Sequence, residues 1–216
     1  MRPLVALLAA CAVLFGTQTG EAQPRPANEQ PMYGEVAKTP DMLAADKAFI
    51  DQVEGMGYSR AGGSDESVKR GMQELMQKHD LTTAMRRFNQ AWLLDPDNGD
   101  AYHGMAIVVM ERDHDPNAAD RLFRMALAAP RKSPNIGVDY GRLLLMSGRP
   151  RDAVPVLEET VRKPDVSPDG PALLALAFRD LGDFQKACTA AQKAQPIAQP
   201  PLKTWIDQIV SDPKCR

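Results

Sequence analysis

Along the chain, apolar residues recur every three to four positions, the signature of helices with one buried face. Four stretches share a tighter pattern of small, larger or small, then small residues at i, i+4 and i+7. They are Ala84–Phe88–Ala91, Ala119–Phe123–Ala126, Ala153–Leu157–Thr160 and Ala187–Ala191–Ala194, and their first residues lie 35, 34 and 34 positions apart. Side chains at this spacing share one helix face, and small residues there let a second helix approach closely. Pro96 and Pro130 follow two of these helices, while Gly148 and Gly182 fall in turns before two of them. The pattern predicts helix–turn–helix units, each with an apolar face that only a neighbouring unit can cover.

Upstream, Thr39-Pro40-Asp41 opens a helix with a cap, a first-turn proline and an acid at the positive dipole end. Met42, Ala45, Phe49, Ile50 and Val53 continue it as a leading helix. Gly55, Gly57, Gly62 and Gly63 then break the chain, so residues 39–63 read as a leading helix and loop. Residues 23–38, rich in Pro, Gln and Asn without an apolar period, read as a disordered linker. Past Pro200-Pro201, the positions of Leu202, Trp205, Ile206 and Ile209 predict a capping helix, so residues 201–216 form a cap and tail over the last unit.

The first residues change the picture of where the chain works. Arg2 precedes an apolar run from Leu4 to Phe15, and Gly20-Glu21-Ala22 places small residues before a cleavage point. Such a run is too short to span a hydrocarbon core of about 30 Å, so residues 1–22 read as a signal peptide cleaved after Ala22. The expected location is periplasmic or secreted. Leu8-Ala9-Ala10-Cys11 imitates a lipoprotein acylation site, but the apolar run continues past it, and only lipidation at Cys11 would bring the protein to a membrane. Cys188 and Cys215 remain after export. They read either as a disulfide holding the tail to a late helix, or as an apolar slot and a frayed end.

Overall charge excludes one class of partner. Lys and Arg number 26 against 28 acids, for a net charge of −2, and no basic stripe suggests nucleic acid. Arg86-Arg87, Arg131-Lys132 and Arg149 with Arg151 sit among acids and read as solvated faces. Aromatics are 6% of the chain, which favours helices packed through small residues over sheets.

The repeated residues resemble the tetratricopeptide-repeat family. The matching positions are Leu75, Ala84, Phe88, Ala91 and Pro96 in the first unit, and Tyr102, Ala106, Ala119, Phe123, Ala126 and Pro130 in the second. The third matches at Tyr140, Gly141, Leu144, Gly148, Ala153 and Leu157, and the fourth at Leu174, Ala175, Phe178, Gly182, Ala187 and Ala194. The resemblance implies an all-α solenoid of about four helix pairs over residues 64–200. Three departures stand out: a longer turn at Asp113-His114-Asp115, Pro155 inside the third unit's second helix near its first turn, and Gly71-Met72 where Leu-Gly is usual. The last should loosen the first helix pair, and the Asp113–Asn117 turn should distort the stack most.

No catalytic or cofactor motif interrupts this pattern, so neither an enzyme nor a small-molecule substrate is expected. Asp113-x-Asp115-x-Asn117 opens like a calcium loop, but Ala118 and Arg124 stand where Gly and Glu are required. It reads as a solvated acidic turn with His114 a turn residue, and no metal or cofactor is expected. Asp95 to Asp100 reads as a helix stop followed by a cap at Asp100.

What the resemblance implies instead is a groove lined by the first helices of successive units. Carried over by alignment, its residues are Lys69, Gln73, Met76, His103, Ile107, Met110, Asn135, Val138, Arg142, Met146, Leu176 and Arg179. A carboxylate clamp of the kind used by chaperone-binding members fails here, because Asp139 would repel the ligand. The expected function is a non-catalytic scaffold that binds a protein or peptide of the cell envelope. The alternative is an outer-membrane lipoprotein assisting pilus or secretion-system assembly.

Overall fold

A computed structural model describes residues 25–215. The signal segment and Cys11 lie outside the described residues. The helices are α1 (Pro40–Gly55), α2 (Arg60–Gln73), α3 (Leu81–Leu94), α4 (Gly99–Val108), α5 (Pro116–Ala128), α6 (Ile136–Met146), α7 (Pro150–Thr160), α8 (Asp169–Asp180), α9 (Phe184–Ala194) and α10 (Leu202–Ser211). Four hairpins, α2/α3, α4/α5, α6/α7 and α8/α9, stack in chain order, with α1 before them and α10 against α8 and α9. Among the described residues no helix is long and apolar enough to cross a membrane.

The repeated small and large residues build the core of each hairpin. Ala84, Phe88 and Ala91 are fully buried, as are Ala119, Ala126, Ala153 and Leu157. Burying a Leu or Phe side chain contributes roughly 1.5–3 kcal/mol, so one such residue per unit repeated along the stack is a sizeable share of the stability. Each hairpin turn uses one left-handed residue five positions before its small residue: His79, His114, Gly148 and Gly182. Asp80, Asp115 and Asp183 follow three of these and cap the second helix through backbone N–H groups of Thr83, of Asn117 and Ala118, and of Lys186.

The two histidine turns have a common cause. Both α2 and α4 run on through a single wide π turn, Glu74–Lys78 and Val109–Asp113. Such a turn accommodates one additional residue. In the first unit it shifts the register so that Gly71 comes to lie against the Phe88 ring. The first hairpin is therefore closely packed and not loosened, and the irregularity expected at Asp113–Asn117 is shared equally by the first unit.

Three further expectations are corrected. Gly62 and Gly63 belong to the first turn of α2, capped by Ser59, and not to a loop. A Cβ at Gly63 would meet Val53 Cγ1 at 2.5 Å, so the glycine is what lets α1 rest on α2. Asn98, and not Asp100, caps α4, while Asp100 Oδ1 accepts the Ser133 N–H at 3.1 Å. Arg131 and Arg149 are ties between units: Arg131 bridges Asp65 and Asp95, and Arg149 donates to Asp120 at 2.7 Å. Asp120 also accepts from Tyr140 at 2.9 Å, and these bonds outweigh burial to hold its carboxyl below the ordinary range.

Part of the segment read as a disordered linker is ordered. Ala27–Glu29 and Pro31–Glu35 form two short turns that lie on α3. Asn89, fully buried, donates to the Asn28 and Gln30 carbonyls at 2.9 and 2.8 Å and accepts the Tyr33 N–H at 3.3 Å. Met32 is buried beneath this strap, and Glu29 and Glu35 pair with Arg86 and Arg121. A segment without an apolar period can be held this way because its backbone polar groups find partners on the neighbouring helix, which composition does not reveal.

Candidate binding groove

The first helices of the first three units present apolar side chains to one another across an open groove of about 510 Å³. Met72 and Met76 come from α2 and its wide turn, Ile107 and Met110 from α4 and its wide turn, and Leu143 and Met146 from α6. Phe123 of α5 forms part of the floor. Met76 and Met146 are 64% and 74% exposed, far more than methionines that serve only packing. The thioether side chain is unbranched and polarizable, so a surface made of it adapts to the shape of what it meets.

Polar groups sit along the same groove, and most are already paired. His103 is buried, with Nε2 3.0 Å from Asp139 Oδ2 and its ring 5.7 Å from that of Phe123. Arg142 donates to Asp169 at 2.7 Å and lies 3.8 Å from Asp139. Glu111 and His114 line the groove and are exposed. Asp113, one residue away, is bonded to Arg112 and Arg25; burial raises its pKa, but the two guanidiniums bring it below the ordinary value.

Of the residues expected to face the groove, the structure brings together Met76, Ile107, Met110, Arg142 and Met146. His103 acts one step back, as the partner of Asp139. Lys69 and Gln73 are exposed outside this lining, and Lys69 lies 4.0 Å from Glu66. Val138 and Leu176 are buried among the helices. Asn135 spends its side-chain oxygen on the Ser167 N–H at 2.8 Å. Arg179 pairs with Asp180 and stacks 5.5 Å from the Trp205 ring.

Met72, Glu111, His114, Phe123, Asp139 and Leu143 complete the lining. A purely helical count finds most of them: 107, 110, 111 and 114, then 139, 142, 143 and 146, are each one face at i, i+3, i+4 and i+7. Alignment to a regular repeat gives Ile107 and Met110 but misses Glu111 and His114, which lie in and just past the π turn that follows α4. At the other end of the stack, the sulfurs of Cys188 in α9 and Cys215 face one another, with Cα atoms 5.4 Å apart, inside the usual range for a disulfide. Among the described residues, no group of three His, Cys, Asp or Glu could hold a metal ion.

No family model and no curated protein sequence matches the chain. Solved structures do. A structure from the functional characterization of Pseudomonas aeruginosa pilF aligns with a TM-score of 0.62 at 22% identity, covering 71% of this chain and 70% of that one. YrrB, described as a TPR protein with an unusual peptide-binding site, aligns with a TM-score of 0.55 at 16% identity over 79% of this chain and 88% of its own. A double mutant of MamA from RS-1 aligns with a TM-score of 0.55 at 18% identity over 69% and 86%. Stacked hairpins at a 34- to 35-residue pitch, small residues seated against Phe or Leu, and these likenesses together make the chain a tetratricopeptide-type helical-repeat solenoid.

Proposed function

We propose that the protein is a non-catalytic interaction scaffold of the cell envelope that holds a protein or peptide partner in the groove between α2, α4 and α6. The observation that carries this reading is the pair Met76 and Met146, both exposed on opposite sides of an apolar floor. A protein gains nothing in its own stability from apolar side chains left in water, whereas a partner covering them gains their burial. The likeness to YrrB, a TPR protein with a peptide-binding site, supports the same use of the fold.

Export belongs to this proposal. Cleavage after Ala22 would release the chain into an oxidising compartment, which suits the facing pair Cys188 and Cys215. Intact-mass measurement on the envelope fraction separates the possibilities: a chain starting at Gln23 supports the exported scaffold, and acylation at Cys11 replaces it with a lipoprotein.

Crosslinking in the envelope followed by capture tests the groove. Met76→Glu with Met146→Glu places two charges on exposed positions, where substitutions usually change stability by less than about 0.5 kcal/mol. Loss of captured partners with an unchanged melting temperature is the expected result. Equal recovery from wild type and the double variant overturns the assignment of the groove.

A further inference from the structure

We propose that the occupant of this groove is an amphipathic α-helix whose apolar face is flanked by basic side chains. This rests on the groove being the binding site, and it adds the conformation and charge of the partner.

The conformation follows from what the groove lacks. An extended peptide presents a free N–H and C=O at nearly every residue, and burying these without partners costs free energy. Few side chains are left to serve them: the Asn135 side-chain oxygen accepts from Ser167, His103 is bonded to Asp139 and Arg142 is held by Asp169, which leaves Glu111 and His114 for a whole extended backbone. What faces the ligand is thioether and aliphatic surface. A helix satisfies its own backbone and offers apolar side chains at i, i+3, i+4 and i+7, which is what such a surface can take up.

The charge follows from the rim. Two carboxylates, Glu111 and Asp139, and one guanidinium, Arg142, line the groove. Arg142 is already countered by Asp169 and Asp139, so it offers little to an acidic ligand. Glu111 is exposed and makes no ion pair among the described residues. A lysine or arginine beside the apolar stripe of the ligand meets Glu111, while a glutamate there meets uncompensated negative charge.

The test uses the full mature chain and labelled peptides of about 18 residues, five helical turns, with one Leu stripe and a Lys, Gln or Glu flank. A fourth peptide keeps the Leu/Lys composition but carries two central prolines. The expected order of affinity is Lys, then Gln, then Glu, with the proline peptide about tenfold weaker than its parent. Glu111→Lys should weaken the Lys peptide about fivefold, with reduced salt dependence, and Met76→Glu with Met146→Glu should abolish its binding. Glu54→Lys, a charge reversal on α1, controls for net charge and should change nothing.

Equal or tighter binding of the Glu peptide, an undiminished proline peptide, or equal losses with Glu54→Lys and Glu111→Lys overturns the proposal. Envelope partners that depend on Met76 and Met146, combined with no binding of the Lys peptide, sink this inference while leaving the groove in place. Loss of both removes the groove itself.

Discussion

Gly71 lies so close to the Phe88 ring that a Cβ there would sit 2.6 Å from Cε1. Gly104 of the next unit approaches the same ring from α4, so one aromatic side chain joins two helices to α3 through two glycines. Gly71→Ala should therefore destabilise by about 1–3 kcal/mol, the usual cost of overpacking, although alanine is the better helix former. Urea denaturation measures it, and Phe88→Leu in the Gly71→Ala background should recover part of the loss. A stabilised Gly71→Ala variant would show that the ring does not sit as described.

His79 adopts a left-handed backbone, φ 54°, at the position where Gly182 serves in the fourth unit. A residue with a Cβ is strained there by roughly 1–2 kcal/mol, partly offset because glycine gives the unfolded chain more freedom. His79→Gly should raise stability, by up to about 1 kcal/mol, since the exposed ring contributes little packing. Thermal melts decide it, and a lower melting temperature counts against the turn geometry.

The strap offers a local readout. Replacing Asn89 with Ala strands the Asn28 and Gln30 carbonyls and the Tyr33 N–H, a cost of about 1–3 kcal/mol. Hydrogen exchange should accelerate first at residues 26–36, with α8 and α9 unchanged. Uniform acceleration along the chain would mean that the strap supports the whole stack.

A bond between Cys188 and Cys215 would close a loop of 27 residues, contributing about 3–4 kcal/mol in the loop-entropy model. Reduction, or Cys215→Ser, should lower the melting temperature and expose the tail, while the binding proposed for the groove at the other end should be unchanged. Two free thiols in protein taken from the envelope would disprove the bond.

Acid should weaken the hairpin turns. Backbone N–H groups of Thr83 and Lys186 hold the carboxyls of Asp80 and Asp183 below the usual aspartate value. A pKa lowered on folding adds stability that is fully present above the unfolded value of about 3.9 and is lost as pH falls through the folded one. The double variant Asp80→Asn with Asp183→Asn keeps the caps but not the charge, so its melting temperature should fall less steeply below about pH 4. Parallel pH profiles would remove this role.

The repeat is legible in the residues because it depends on local spacing. Small residues at i and i+7 state which helix face must be covered, and four copies in phase state what covers it. Five residues that line the groove, Met76 and Met146 among them, come from carrying the family's groove positions over by alignment. Met72 and Leu143 are not among the positions carried over, although Leu143 shares one helix face with Asp139, Arg142 and Met146.

Sequence alone determined the helical class and the pitch of the stack, since both rest on contacts within a few turns. Tertiary structure decided the rest. The π turns that seat Gly71 under Phe88, the strap bound by Asn89, and the unit-to-unit ties of Arg131 and Arg149 join residues far apart in the chain. Their favourable energy appears only when the elements are already side by side, so no local pattern in the chain announces them.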